Sequence, residues 1–567
     1  MSITSKKPHK YRTTTPSFSL ELPLSPTYSQ MKVLRGHFEA ARNFYNALLG
    51  EARRRLNQMR NSPEWQTARA IAKTPSHKTE RKAAFAAART KYQFTEYDLH
   101  KDATQIRQSW IGEHIDANTA QTLATRAFRA VQRVAVGQAR KIRFRSKGRG
   151  IDCLEGKTNK QGIRFVLEKP QDANKGYLVW GRDLQIPAHI DWQDEVVRHG
   201  LSCPIKYVRL IRHRASSVRA KGADPVTSHR YYVQLVLEGK PYQKPKNKPG
   251  KAVIGIDIGP SSMAIVSQDA QTAELVQFCH KLNPDVTKKK RLQRHLDRER
   301  RANNPQNYDE KGRFVKPAKG KRLVWHDSKG YFNTRRKLAM ADRKLAAYRK
   351  SLHGELVNQI IRQGNTIKLE KLSYRAFQKQ YGKSVGLRAP GMFVAMLNRT
   401  VANTGGTFLA FSTYQTKLSQ YCHGCNTFTK KPLSQRWHNC PKCGLGPIQR
   451  DLYSAWLANW VSPLTNELSL PTAILRPTVP SLTGGSTGVG ANEWTGVEER
   501  LRAVAERLQQ QLAKEGVSYP RSFGLTRAGA SLPKSRYRVS SNSKKVASSA
   551  KTVIVSTSGE EIVAERL

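Results

Sequence analysis

Long apolar runs, acidic residues and cysteines are all scarce in this sequence of 567 residues. No segment approaches the roughly 20 uncharged apolar residues that are needed to cross a bilayer, so we expect no membrane partner. No apolar stretch follows the basic residues between Met1 and Thr15, which argues against a secretion signal. The sequence therefore indicates an intracellular protein, and we expect a cytoplasmic location.

The shortage of acid leaves a large positive charge. Asp and Glu number 42 against 99 Lys and Arg, which gives a formal net charge of +57. Such a chain repels itself unless a polyanion neutralises the charge. Nucleic acid is the expected partner, because each phosphate that Lys or Arg neutralises releases a counterion.

Seven cysteines are too few and too unevenly spaced for a disulfide scaffold. Nothing in the sequence around Cys153, Cys203 and Cys279 indicates an activated thiol. We therefore interpret these three as small buried hydrophobic residues.

The other four cysteines form two CxxC pairs separated by 14 residues. This spacing predicts one closed, tetrahedral site for a structural zinc ion. His423 and His438 are alternative ligands, although four thiolates already complete the shell. The predicted zinc ligands are Cys422, Cys425, Cys440 and Cys443.

In the first half of the chain, the predicted secondary structure changes from mainly helix to mainly strand at about residue 141. A short strand is predicted at 17–23, and residues 31–139 have mostly helical periodicity with a basic outer face. Between 141 and about 245, short β-branched and aromatic runs alternate with Gly, Asn and Pro, which predicts a small antiparallel sheet or barrel. The early strand can belong to that sheet, with the helical region inserted.

A linker rich in proline at 239–250 precedes three apolar, strand-like runs. Residues 288–350 then carry 22 Lys and Arg against six Asp and Glu, with helical patterns at both ends. Further strands are predicted at 366–372 and 406–413. Past residue 465 we expect a linker, one isolated helix at 498–515 and a disordered basic tail.

Three acids stand at the ends of predicted elements. Asp257 ends the apolar strand of VIGIDIGPSS, Glu370 closes the strand TIKLE, and Asp451 opens the helix QRDLYSAWLANW. If the three converge, their oxygens form a hard-ligand site for two Mg²⁺ ions that can hydrolyse a phosphodiester.

Each acid also has an alternative interpretation. Asp257 alone fits a turn before a hairpin. Glu370 can pair with Lys368 or Lys371, and Asp451 is favourable near a helix N-terminus on electrostatic grounds alone. The order of strand acid, strand acid, zinc knuckles and helix acid favours the metal site over these readings.

The segments GIDIGPSSMAIV, LEKLSYRAF and QYCHGC…CPKCGLGPIQRDLYSA resemble the three RuvC-like motifs and the zinc ribbon of transposon-encoded TnpB nucleases and compact type V CRISPR effectors. The helical segment at 30–54 and the strand HRYYVQLVLEG are similar to parts of the recognition lobe and the wedge domain of that family. One departure is the third motif, often RDxNAA in the family, where Tyr453 and Ser454 replace a small polar pair.

The resemblance implies a multidomain α/β protein: an RNase H-like RuvC nuclease domain with an inserted zinc ribbon, an antiparallel β-barrel wedge domain and a helical recognition lobe. The basic tract 288–350 is then an insertion into the nuclease domain. The implied boundaries are 1–29 and 141–247 for the wedge-like barrel, 30–140 for the recognition lobe, 248–414 and 446–465 for the nuclease domain, 415–445 for the zinc ribbon, and 466–567 for the linker, isolated helix and tail.

The same resemblance implies that Asp257, Glu370 and Asp451 are catalytic and hold two Mg²⁺ ions. It also implies a noncoding guide RNA, a target DNA with a short adjacent motif that the protein reads, and a prokaryotic, nucleoid-associated setting. The predicted function is therefore that of an RNA-guided DNA endonuclease. Alternatives are a nuclease-silent RNA-guided DNA-binding protein and a DNA transposase of the RNase H fold.

Overall fold

The structure, a computed structural model, describes residues 15–504 except for 148–149, 169–174, 215–226, 228, 316–322, 433–434 and 463–495, and also residues 506–507 and 510. The chain divides into two compact units, Met1–Tyr242 and Gln243–Leu567. Both units contain helices and sheets, which confirms the predicted mixed α/β content. Within the described ranges, no helix has both the length and the apolar character that a membrane span requires.

The first unit has a helical layer. Thr27 and Gln30 form a reciprocal capping box that starts its longest helix, and Asp116 caps the last helix of the layer through the N–H groups of Asn118 and Thr119. The apolar faces of these two helices pack together and bury residues such as Phe38. The helices are α1 (Tyr28–Arg60), α2 (Pro63–Ala70), α3 (Lys78–Lys91), α4 (Glu96–Arg107) and α5 (Ala117–Ala135), with a later α6 (Glu195–Ser202).

The strands of the first unit form two open sheets. They are β1 (Ser17–Pro23), β2 (Cys153–Glu155), β3 (Ile163–Leu167), β4 (Gly176–Trp180), β5 (Leu184–Ala188), β6 (Ile205–Arg214) and β7 (His229–Glu238). One sheet has the order β1-β7-β6-β2 and the other β3-β4-β5, all antiparallel. The early strand β1 thus pairs with β7 across the inserted helices. Among the described residues these strands do not close into the single barrel that was predicted; a lone bridge between Leu24 and Ala188 links the two sheets.

The second unit is built on one mixed sheet of five strands. Its order is β10-β9-β8-β11-β12, in which β8, β11 and β12 run parallel and β9 and β10 form antiparallel hairpins beside them. The strands are β8 (Ala252–Ile258), β9 (Ser262–Ser267), β10 (Ala273–Gln277), β11 (Gly364–Glu370) and β12 (Thr407–Phe411).

Helices cover both faces of this sheet. On one face, Ile256 and Leu369 pack against the helices α8 and α10. On the other face, α12 lies directly on Gly255: a Cβ atom there would be 1.9 Å from the backbone oxygen of Ala455. The helices of this unit are α7 (Val286–Asn303), α8 (Lys329–Gln363), α9 (Tyr374–Arg388), α10 (Pro390–Asn403), α11 (Thr413–Thr416) and α12 (Arg450–Ala458).

The basic tract forms a hairpin of α7 against α8, with helical ends as the sequence predicts. Four two-residue strands, β13 (Tyr421–Cys422), β14 (Thr427–Phe428), β15 (Trp437–His438) and β16 (Ile448–Gln449), frame the cysteine pairs.

The helix that the sequence predicts to be isolated instead packs within the second unit. Residues 496–504 are helical, and Leu501 and Val504 are fully buried in the cluster that contains Trp456. The guanidinium of Arg502 donates to the carbonyl of Gly446 at 2.7 Å. The apolar face of this helix therefore has a partner that its own sequence does not reveal. The predicted linker before it and the predicted tail lie outside the described residues.

Candidate metal centres

Two of the predicted acids lie side by side at the carboxyl ends of neighbouring parallel strands. Asp257 is the penultimate residue of β8, and Glu370 is the last residue of β11. The register pairs Leu369 with Ile256, so the next step along both strands brings Glu370 level with Asp257. Because side chains alternate along a strand, both carboxylates project from the face that α12 covers.

Asp451 approaches the same place from the first turn of α12. The negative charges of Asp451 and Glu370 both raise the pKa of Asp257, so the three acids interact electrostatically. Among the described residues, however, a group of three or more His, Cys, Asp or Glu side chains close enough to share one ion is found at the cysteines and not at these acids.

The ionised forms of Asp257 and Glu370 are destabilised where they lie, and a nearby positive charge would stabilise them. Burial raises the pKa of Asp257 well above its usual range, and the neighbouring carboxylates raise it further, although Arg450 and Arg436 oppose the rise in part. Burial also raises the pKa of Glu370 to about 7, although both residues keep some contact with solvent. Among the described residues neither carboxylate forms an ion pair or a side-chain hydrogen bond. A bound cation would relieve this cost, so the donor set fits divalent metal ions.

Asp451 has a different environment because it lies between two arginines. Nη1 of Arg436 is 3.6 Å from its Oδ2, and Nε of Arg450 is 3.8 Å from its Oδ1. Both distances exceed those of a hydrogen bond, so the carboxylate oxygens remain available to other ligands. The helix cap is supplied by Gln449, whose Oε1 accepts from the N–H of Leu452 at 2.7 Å. Asp451 is thus not needed as the cap.

The alternative interpretations of the strand acids find no support in their contacts. Lys368 donates to the carbonyls of Asn459 and Val461 at 2.7 and 3.0 Å rather than to Glu370. The turn after Asp257 is closed by the backbone, where the N–H of Gly259 donates to the carbonyl of Ser262 at 2.9 Å. Neither acid therefore serves the local structure in the way that those readings require.

The four cysteines come together as the spacing predicts. All four Sγ atoms lie within 4.8 Å of one another, with 3.6 Å between Cys422 and Cys443 and 3.5 Å between Cys425 and Cys440. Zn–S bonds of about 2.3 Å in a tetrahedron place sulfur atoms roughly 3.8 Å apart. The cluster therefore has dimensions that fit one structural zinc ion.

Backbone N–H groups stabilise thiolates at this cluster. Burial opposes ionisation of Cys440, but the N–H groups of Cys443 and Lys442, together with hydrogen bonds from the thiols of Cys425 and Cys422, lower its pKa to about 7. Asn426 and Gly444, which follow the second cysteine of each pair, have φ angles of 52° and 69°. This left-handed backbone conformation reverses the chain after each cysteine pair, so that the two cysteines of the pair can face one ion.

Neither histidine joins the thiol cluster. Nδ1 of His423 lies 2.7 Å from the hydroxyl of Tyr453, which also accepts from the N–H of His423 at 3.1 Å. His438 packs its ring against Tyr453 with a centroid separation of 4.4 Å and forms a hydrogen bond with Lys431. Tyr453 is fully buried and thus connects the helix of Asp451 to the first cysteine pair. The sequence analysis noted this residue only as a departure from a motif.

The three other cysteines have no partner thiol among the described residues. Cys279 is buried, as expected, and burial raises the pKa of its thiol to about 11. Cys153 and Cys203 are half-buried, so the expectation of full burial is wrong for them.

Comparisons with known proteins give weak likenesses. No family model and no curated protein matches this sequence. A cryo-EM structure of a Cas12f1–sgRNA–target DNA complex is 11% identical over 78% of this chain and 98% of that chain, with a TM-score of 0.39. A cryo-EM structure of a CRISPR-Cas12f ternary complex is 12% identical over 74% of this chain and 80% of that chain, with a TM-score of 0.23. At such scores neither likeness carries an argument about this chain.

Proposed function

We propose that this protein is an RNA-guided DNA endonuclease that hydrolyses phosphodiester bonds in a RuvC-like site. The observation that carries the proposal is the placement of Asp257 and Glu370 at the ends of adjacent parallel strands, where the charge of Asp451 also acts on Asp257. The mixed strand order supports an RNase H-like domain, because β8 and β11, the first and fourth strands of this sheet along the chain, are parallel neighbours. The motifs of the sequence support the family of TnpB and compact type V effectors.

The three acids would hold two Mg²⁺ ions, which supply an activated water and stabilise the leaving oxygen of the phosphodiester. The chain contributes the placement of the ligands. Adjacent strand ends fix Asp257 and Glu370 relative to each other, and Gln449 fixes the first turn that carries Asp451. Arg436 and Arg450 bring positive charge to the same edge, where a scissile phosphate would also lie.

The charge of the chain supports nucleic-acid partners independently of the site. A guide RNA, its heteroduplex with DNA and a displaced strand together present far more phosphate than a single duplex, and a charge of +57 matches that load. We propose accordingly that a noncoding RNA supplies sequence choice and that the protein reads a short adjacent DNA motif, in a prokaryotic cytoplasm. One zinc ion at the four cysteines would be structural.

The test uses the full chain purified with its RNA, whose sequence also identifies the guide. Matched DNA is incubated with Mg²⁺, and cleavage and RNA-dependent DNA binding are both measured. Replacing Asp257 with Ala removes several kcal/mol of transition-state stabilisation, so we expect cleavage to fall by about a thousandfold with binding retained. Glu274→Gln is the matched control, because Glu274 is another buried carboxyl of the same sheet but lies on β10.

Each other result has a defined meaning. Loss of both binding and cleavage in Asp257→Ala, but not in Glu274→Gln, would assign a structural role to Asp257. Intact DNA after prolonged incubation of the unaltered complex would favour a nuclease-silent DNA-binding protein. Strand transfer of transposon ends without any RNA would favour a transposase.

A further inference from the structure

Three aromatic rings gather at the tip of the α7–α8 hairpin. Tyr308 and Phe314 face each other across an isolated β-bridge with ring centroids 5.0 Å apart. Trp325 meets both rings edge to face, at 6.1 Å from Tyr308 and 5.8 Å from Phe314. We call these three residues, with Arg300 and Arg301, the aromatic tip.

The two arginines of the aromatic tip lie over its rings. The guanidinium carbon of Arg300 is 3.9 Å from the ring centroid of Trp325, and that of Arg301 is 5.2 Å from the centroid of Tyr308. Phe314 nevertheless remains 58% exposed. An exposed ring beside stacked guanidinium planes offers both a π-face and positive charge to a flat, anionic ligand.

The tip does not need Phe314 to hold its shape. Asn304 and Asn307 are buried and fasten the two sides of the loop together. Nδ2 of Asn304 donates to the carbonyl of His326 at 2.9 Å, and Nδ2 of Asn307 donates to the carbonyl of Val324 at 2.6 Å. These buried amides join the two sides of the loop through their own hydrogen bonds, so the exposed face of the Phe314 ring is not what joins them.

A row of cations leads along α7 to this tip. Lys290, Arg294, Arg298 and Arg301 follow one another at helical spacing and share one face of the helix. The first three line a groove of about 610 Å³ together with Thr287, Arg291 and Asp297. The four side chains of the row are all exposed, so no described residue of the unit covers this face of α7. From Lys290 to Arg301 the row spans roughly 16 Å, enough for about three nucleotides of an extended strand.

We propose that the aromatic tip stacks unpaired bases of a single-stranded nucleic acid whose phosphates follow the α7 row. Charge complementarity selects the occupant: residues 288–350 carry 22 basic against six acidic side chains. Duplex ends offer few accessible base faces, whereas a single strand offers one at every nucleotide. This binding needs no metal and no cleavage, so its failure and the failure of the proposed nuclease activity are distinguishable.

The test separates stacking from general attraction to positive charge. The full chain, stripped of RNA and without Mg²⁺, is titrated with a fluorescent oligothymidine and with an abasic phosphodiester strand of equal length and charge. The ratio of the two affinities measures the contribution of the bases. Phe314→Leu keeps apolar volume but removes the ring, and we expect it to reduce this ratio by about tenfold. Phe314→Tyr keeps the ring and should keep the ratio.

Phe332 provides the matched control, because it is 54% exposed on α8 and outside the aromatic tip. Phe332→Leu should leave the ratio unchanged. Equal losses in both leucine variants, or no loss in either, would overturn the proposal. So would a change of oligomeric state in Phe314→Leu with the ratio intact, which would assign the tip to self-association. Crosslinking of 5-iodouracil in DNA and in the co-purified RNA to peptides containing Phe314 or Trp325 then identifies which strand is bound.

Discussion

At Gly255, the addition of a single methyl group should displace α12, and with it Asp451, from the sheet that carries Asp257 and Glu370. Its Cβ, if present, would lie 1.9 Å from the backbone oxygen of Ala455 and 3.0 Å from Nδ2 of Asn459. Both neighbours belong to α12 or its end, and a helix backbone cannot rotate away as a side chain can. Gly255→Ala therefore has to push α12 off the sheet or bend β8.

The size of the displacement follows from the contact distance. An ordinary contact between a carbon and a carbonyl oxygen is about 3.3 Å, so the variant needs a shift of roughly 1.4 Å. Overpacking of this kind costs about 1–3 kcal/mol or somewhat more. Asp451 lies one helical turn before Ala455. In the proposed active site, a misplacement of Asp451 by about 1 Å would cost on the order of a hundredfold in rate.

Thermal unfolding and DNA cleavage measure the two consequences separately. We expect Gly255→Ala to lower the unfolding temperature and to reduce cleavage on the order of a hundredfold at temperatures where it stays folded. The control is Gly354→Ala, since a Cβ at Gly354 in α8 meets nothing within 4 Å; alanine in a helix should stabilise it by about 0.5–1 kcal/mol. If Gly255→Ala matched the parent protein in both assays, the close seating of α12 on β8 would be wrong.

Two further variants test the surroundings of the sites. Tyr453→Phe keeps the ring but removes the hydroxyl that contacts the N–H and Nδ1 of His423. We expect a loss of about 1–3 kcal/mol in unfolding free energy and, from zinc-loaded protein, faster zinc release to a chromogenic chelator. Unchanged release would contradict the link between α12 and the first cysteine pair. Burial raises the pKa of Glu274 from 4.5 to about 7, so its folded form holds a proton that the unfolded form has lost between those pH values. Stability should therefore fall by at most about 3 kcal/mol as pH rises through that window and then level off. Glu274→Gln, whose one carbonyl oxygen can accept from Gln359 or Gln363 but not from both, should remove the pH dependence; an unaltered pH profile in the variant would refute this.

The sequence predicts the grouping of the four cysteines and the strand-end positions of Asp257 and Glu370 better than it predicts their surroundings. The four cysteines could be grouped because tetrahedral thiolate binding imposes a fixed local spacing, which is visible along the chain. Asp257 and Glu370 could be placed at strand ends because apolar runs mark buried parallel strands. Their adjacency in register depends on pairing between segments more than 100 residues apart, which no local pattern encodes.

The errors of prediction have the same origin. Residues 498–504 show an amphipathic pattern, but the partner of the apolar face is the cluster around Trp456, and the sequence does not mark that match. The strand runs of the first unit do form antiparallel sheets, yet closure into a barrel depends on edge pairing rather than on alternation. In the sequence, Tyr453 is only a departure from a motif, and the hydrogen bond between its hydroxyl and His423 is visible only in the structure.

The position of the third acid depends on contacts that lie outside α12 itself. A helix of nine residues is too short to be stable alone in water, so its orientation has to come from its neighbours. Trp456 is buried and donates from Nε1 to the carbonyl of Gln268 at 3.1 Å, which holds the helix to the sheet. Tyr453 holds the same helix to the first cysteine pair. If the four cysteines hold zinc as proposed, its loss would loosen the second of these attachments without touching any acid. The ion would then affect the position of Asp451 relative to Asp257 and Glu370.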